Sequence, residues 1–358
     1  MTCNARGSHS AGPGHALPPR RLPSLLLLCL AAASLGAGGC QGDNAGTSTP
    51  GEALRATKRG GETPLSPTAD PRLDPYRDRF QRVEALIVRW DGLRNDGRAS
   101  EADTIAARLR QEVDGAFPDF ERAAGGELGV HAQYLAVSAL GFSASPQATR
   151  VLVARLGDQD SRVVGNALIA LGVRADPGTP LEPIVRYVNP QAPVEPRRFA
   201  PLTLAKVMEA RARAGQPASA GQQVQVLARL TPLAVDHDPV VRLHVANALG
   251  RLETPGTYEP LRALVGDPQM RVRWAAAASM ERTGDPRGFP DVIRLLNDVS
   301  PDSKHVIRDV LVSYAGRVQG RPLTSAEIEA LGTGPRAWSQ WYSELRSRRG
   351  LTSAGAPR

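Results

Sequence analysis

The chain has 358 residues, with 44 Lys and Arg against 36 Asp and Glu, and 41% hydrophobic but only 4% aromatic residues. The apolar content is mostly Ala, Leu and Val, which argues against a β-sandwich or barrel and for packed helices. Three cysteines exclude a disulfide-dense scaffold and a four-cysteine zinc site.

The first element is a targeting segment. Arg20-Arg21 precede an apolar run from Leu22 to Leu30, then Ala31-Ala32-Ala33 and Ala37-Gly38-Gly39-Cys40. A basic patch, a short apolar stretch and small residues before a processing point are the parts of a secretory signal. The 16 residues from Leu22 to Ala37 include Pro23 and Gly36 and are short for a membrane span. The arrangement resembles a bacterial lipoprotein signal, with Ala37 where such signals usually carry Leu. That resemblance implies removal of residues 1–39 and acylation of Cys40. Gln41 after the cysteine then implies the outer membrane, facing the periplasm. The alternative is an ordinary cleaved signal that leaves one spare cysteine.

Loss of 1–39 removes Arg6, Arg20 and Arg21 and no acid, leaving 44 − 3 = 41 basic against 36 acidic residues. An excess of five is no nucleic-acid footprint. Residues 40–73 are rich in Gly, Ser, Thr and Pro without apolar periodicity. They read as a disordered tether holding the folded part roughly 30 Å from its anchor.

Helices follow. Tyr76, Phe80, Val83, Leu86, Ile87 and Trp90 form one face of a helix over 74–94, and Ile105, Leu109 and Val113 mark a second from Ser100. This hairpin, within 74–126, is expected to cap what comes next.

From 127 to 316 the chain repeats. Asp236, Asp267 and Asp298 are 31 residues apart, and Glu127 and Asp158 fit the same phase upstream. In the unit starting at Asp236, Val241, Val245, Ala248 and Leu249 lie on one face of a helix. Asp-x-Asp-Pro supplies its N-cap, and Gly141, Gly172 and Gly250 are expected to end first helices in a left-handed conformation. Pro146, Pro177, Pro255 and Pro286 share one repeat position, where proline can begin a second helix. Two-helix units that cannot bury their stripes alone must stack into a solenoid.

Between Tyr187 and Asp236 the phase slips by 47 − 31 = 16 residues. Pro190, Pro193, Pro196 and Pro201 predict a loop over 189–201, followed by helices over 202–213 and 222–233. At the far end, 317–358 is expected to form a helical cap and tail, with helices from Ser325 and Pro335 and with Trp338 and Trp341 closing the core.

The Asp-x-x-x-x-Val-Arg start (Asp236 to Arg242, Asp267 to Arg273), the Ala-rich first helix and Leu-Gly before a proline turn resemble HEAT repeats of the bilin-lyase-like kind. The resemblance implies an all-α fold: an α-solenoid of about six two-helix repeats with helical caps at both ends. It implies no activity. The His-Glu motifs of iron-dependent deoxyhypusine hydroxylases, also HEAT proteins, do not occur, and an exported chain with an excess of five charges is a poor match to HEAT-like DNA glycosylases. Neither a P-loop, a Gly-x-Ser-x-Gly nor a His-Glu-x-x-His motif is present, and His131, His237, His244 and His305 share no repeat position.

The expected function is therefore that of a lipid-anchored, exported, non-catalytic scaffold that binds another envelope protein. No cofactor, metal, nucleic acid or small-molecule substrate is expected. The alternative is an enzyme or small-ligand binder working through grooves between helices. Candidate partner-binding residues are Arg197 and Arg198 in the insertion and the basic ladder Arg242, Arg273 and Lys304. The competing reading of the ladder is a set of pairs to acids or helix carbonyls of the adjacent unit, such as Asp236 or Asp267.

Overall fold

The computed structural model describes residues 72, 74–252, 254–298 and 304–349. The signal segment, Cys40 and the tether lie outside the described residues. Among those described there are sixteen α-helices and no strand. None of these helices is long and apolar enough to cross a membrane.

The N-terminal cap is a hairpin of α1 (Arg77–Asn95) and α2 (Ala99–Asp114), followed by α3 (Phe117–Ala124). Phe80 of α1 stacks on Phe120 of α3 at 4.9 Å, and Trp90 meets Phe142 edge-on at 4.9 Å. Aromatic contacts of this geometry add to the burial of the rings themselves. The hairpin thereby covers the apolar end that the first repeat would otherwise show to water.

The repeats form two layers. First helices are α4 (Val130–Leu140), α6 (Ser161–Arg174), α8 (Val194–Arg213), α10 (Pro239–Leu249), α12 (Met270–Thr283) and α14 (Lys304–Gln319). They stack in that order, each on the next. The second layer holds α5 (Pro146–Arg155), α7 (Glu182–Val185), α9 (Ala220–Leu230), α11 (Tyr258–Val265) and α13 (Phe289–Asp298). Helices α5, α11 and α13 each lie more extensively against the first helix of the next unit than against that of their own. The array is one continuous core rather than a row of separate hairpins. Val241, Val245, Ala248 and Leu249 are all buried in it.

The sequence caps these helices as expected. Asp238 Oδ1 accepts from Val240 N at 2.7 Å and Asp160 Oδ1 from Arg162 N at 2.9 Å. Pro146 opens α5 directly, whereas Pro255 and Pro286 open 3₁₀ turns that run into α11 and α13. Pro177 begins no helix; α7 starts only at Glu182.

Two expectations are corrected. The glycines at the ends of first helices are not left-handed: Gly141 has φ −60° and Gly250 φ −66°, and Gly172 lies inside α6. They serve close approach between first helices. A Cβ on Gly141 would stand 3.0 Å from Ala170 Cα, and one on Gly250 2.8 Å from Ser279 Cα.

The segment 189–201 is not all loop, because α8 begins at Val194 and runs through Pro196 and Pro201. Pro196 is the third helical residue, where the N–H has no intrahelical partner to lose. Pro201 lies in the interior and leaves the Arg197 carbonyl without its usual donor. The neighbouring Arg198 carbonyl accepts from His244 Nδ1 of α10 at 2.6 Å, which ties this turn to the next unit. Burial of Phe199, Ala200, Pro201 and Leu204 holds the helix together across the proline.

The C-terminal cap consists of α15 (Ser325–Leu331) and α16 (Pro335–Arg349), the latter packed on α13. Trp338 is fully buried, and its indole N–H donates to Gly332 O at 3.1 Å. Phe289 sits among Tyr314, Trp338, Trp341 and Tyr342, and Tyr342 Oη donates to Pro286 O at 2.5 Å.

Candidate functional site

The structure places Arg242 between two units. Its Nε and Nη2 donate to the two oxygens of Asp267 at 2.6 and 3.0 Å, and its Nη1 donates to Asp236 O at 2.7 Å. Arg197 makes the same rung one unit earlier, with Nε 2.9 Å from Asp236 Oδ2. Gln133 takes the equivalent place on Asp158 at 3.2 Å.

Arg198 is held by Asp238 and Glu195, at 2.7 and 2.6 Å. Arg273 Nη1 donates to the carbonyls of Asp267 and Pro268 at 2.8 and 3.1 Å, repeating what Arg242 does with Asp236 and His237. Lys304 is the first residue of α14 and half-buried. Each Asp in these rungs also accepts a backbone N–H at a first-helix start, so one carboxylate serves both as local cap and as bridge.

A second ladder lies nearer the other ends of the first helices. Thr203 of α8 occupies the place that Ala170 and Ser279 hold, against the glycine of the preceding helix. In that register Lys206, Arg251 and Arg282 are equivalent, each three residues beyond Thr203, Ala248 and Ser279. All three lie around Glu209. Its carboxylate receives Arg213 at 2.7 Å, Arg251 at 3.2 Å and Arg282 at 2.5 Å.

Arg282 belongs to α12 and Glu209 to α8, with α10 between them. In a flat array those axes would be two spacings apart, roughly 16–20 Å. The long side chains of Arg282 and Glu209 close that distance over α10 and so mark one side of the first-helix layer, called the inner face below. Residues one and two turns before Arg251, namely Asn247 and Leu243, share this inner face and are half-buried.

The charges on this face act on one another. Burial alone would raise the Glu209 carboxyl, but Arg213, Arg282 and Arg251 outweigh it and hold it below the usual range. Burial pushes the Lys206 ammonium down to about 8, helped by the charges of Arg251 and Arg94 and opposed by Glu209. His244, buried beneath, falls to about 4 because burial disfavours its cation. The Arg198 carbonyl can only accept, so His244 carries its proton on Nδ1.

His131 stands 3.7 Å from Glu84, and His237 and His305 are exposed. Among the described residues no group of three His, Cys, Asp or Glu side chains could hold a metal ion. The Lys206–Arg251–Arg282 ladder escapes the sequence reading because the insertion hides the phase of α8. Arg251 and Arg282 themselves are 31 residues apart, and that signal was available.

Residues 227–312, from the end of α9 to α14, match the family model of HEAT repeats. No curated protein matches the chain. HEAT repeats form helical scaffolds for protein interaction and are typically non-catalytic. This match over 227–312 and the stacking of the paired helices together support an all-α solenoid of HEAT-like repeats.

Proposed function

We propose that the protein is a lipid-anchored scaffold of the bacterial envelope whose inner face binds another envelope protein. The observation that carries this reading is the Arg282–Glu209 pair across α10, which ties three first helices into one continuous face of the kind solenoids use for binding. The Asp–Arg rungs stiffen that surface, so binding would fall to the inner face rather than to Arg197, Arg198 and Arg242. Export and anchoring rest on the Leu22–Leu30 run and on Cys40.

The test has two parts. Cys40→Ala is expected to move the protein from the membrane fraction to the soluble one, and unchanged retention would remove the anchor. Cross-linking in intact cells, followed by purification of this protein, is expected to bring down one reproducible envelope protein. Recovery of the scaffold alone would shift the reading to a ligand-binding or enzymatic role.

A further inference from the structure

We propose that the inner face around Lys206 receives the carboxylates of an acidic segment of the partner protein. This rests on the scaffold reading and adds the chemistry of the contact. Three successive first helices offer a cation at one position, Lys206, Arg251 and Arg282, and Arg213 and Arg94 join them from α8 and α1. The carboxylate set among them is Glu209, which bonds three of the five.

Part of this charge has an internal explanation. Arg213, Arg251 and Arg282 stand at the ends of α8, α10 and α12 and offset the negative helix ends. Lys206 does not: it stands two turns before the end of α8. Among the described residues no hydrogen-bond acceptor engages its ammonium. Glu209 is the anion that acts on it, and that carboxylate is already bonded by Arg213, Arg251 and Arg282, so a second carboxylate would stabilise the cation further.

Glu209 shows which anion suits the face, since a carboxylate already sits there between guanidinium groups drawn from three helices. A second carboxylate on Lys206, with Arg94 and Arg251 behind it, would extend the same arrangement. A peptide with neighbouring Asp or Glu residues, laid along this face, supplies such groups at side-chain spacing. Nucleic acid fits less well, because Glu209 would repel the phosphate chain at the centre of the ladder.

The experiment uses the full chain and fluorescence anisotropy at low salt. The probes are a labelled octaglutamate peptide, an octaglutamine peptide and a single-stranded DNA octamer. Octaglutamate is expected to bind, octaglutamine not to, and Lys206→Met to weaken octaglutamate roughly tenfold. Lys206→Met removes a charge from a half-buried site and is expected to keep or raise the melting temperature. Arg94→Gln provides a second variant with the same expected direction.

Equal octaglutamate affinity in wild type and both variants would overturn the inference, as would tighter binding of the DNA octamer. Capture of a partner in cells by wild type and Lys206→Met alike would also overturn it, while leaving the scaffold standing. No protein captured by wild type would remove the scaffold reading and this inference with it.

Discussion

Gly250 of α10 lies against Ser279 of α12 so closely that a Cβ on the glycine would stand 2.6 Å from the serine Cβ. The contact is one of a series: Gly141 meets Ala170 and Gly172 meets Thr203 in the same way, and Thr203 Oγ1 donates to Leu168 O at 2.7 Å. Small residues on facing first helices set how near successive repeats approach.

Gly250→Ala should therefore destabilise the protein by about 1–3 kcal/mol, the usual cost of overpacking. Gly92→Ala is the control, since nothing lies within 4 Å of the added Cβ. It should be neutral or stabilising by up to about 1 kcal/mol, the helix-propensity difference. Denaturant unfolding of both variants checks the contrast.

The Arg242–Asp267 rung is 12% and 5% exposed, which puts it among buried pairs rather than surface ones. Arg242→Met leaves Asp267 charged and inside, and should cost about 3 kcal/mol. Arg262→Met, on the 54% exposed Arg262, should change stability by less than about 0.5 kcal/mol. Combining Arg242→Met with Asp267→Asn should cost less than the sum of the two, because they share one interaction.

His244 makes acid stability testable. Its folded value of about 4 lies below the ordinary 6.5, so the unfolded chain binds the proton first. Stability from the neutral imidazole is complete above about pH 6.5 and is lost as the pH falls toward 4. The loss is on the order of 3 kcal/mol. Unfolding free energies of wild type and His244→Gln, measured from pH 7.5 to 4, should show a shallower slope for the variant between 6.5 and 4.

The C-terminal cap predicts an order. Trp338 is fully buried, whereas Trp341 is only partly so. Trp338→Ala should cost about 3–5 kcal/mol and Trp341→Ala clearly less. Equal costs would mean that α16 does not close the core through Trp338.

Much of the fold was legible because a 31-residue period places caps, stripes and prolines by phase. The first helices from Val130, Ser161, Pro239 and Met270 follow from it, while the two C-terminal helices were marked by Ser325 and Pro335 at their starts. What failed were local inferences made without neighbours. The Pro193–Pro196–Pro201 spacing reads as a loop, yet a buried stripe through Phe199 and Leu204 carries a helix across it. Gly250 reads as a turn former, yet Ser279 across the interface is the reason for it.

The basic ladder shows the same limit. Arg242 and Asp267 can be paired by phase alone, but the clustering of Lys206, Arg251 and Arg282 at Glu209 depends on how α8, α10 and α12 pack, which one sequence does not reveal.

The most direct test of the central claim is site-specific photo-cross-linking in intact cells. A photoreactive residue is placed at Leu243 or Asn247 on the inner face and, in parallel, at Glu259 or Arg262 on α11 of the outer layer. The account predicts one cross-linked envelope protein from the inner positions and none from the outer ones. Cross-links from α11 alone, or from neither face, would contradict it.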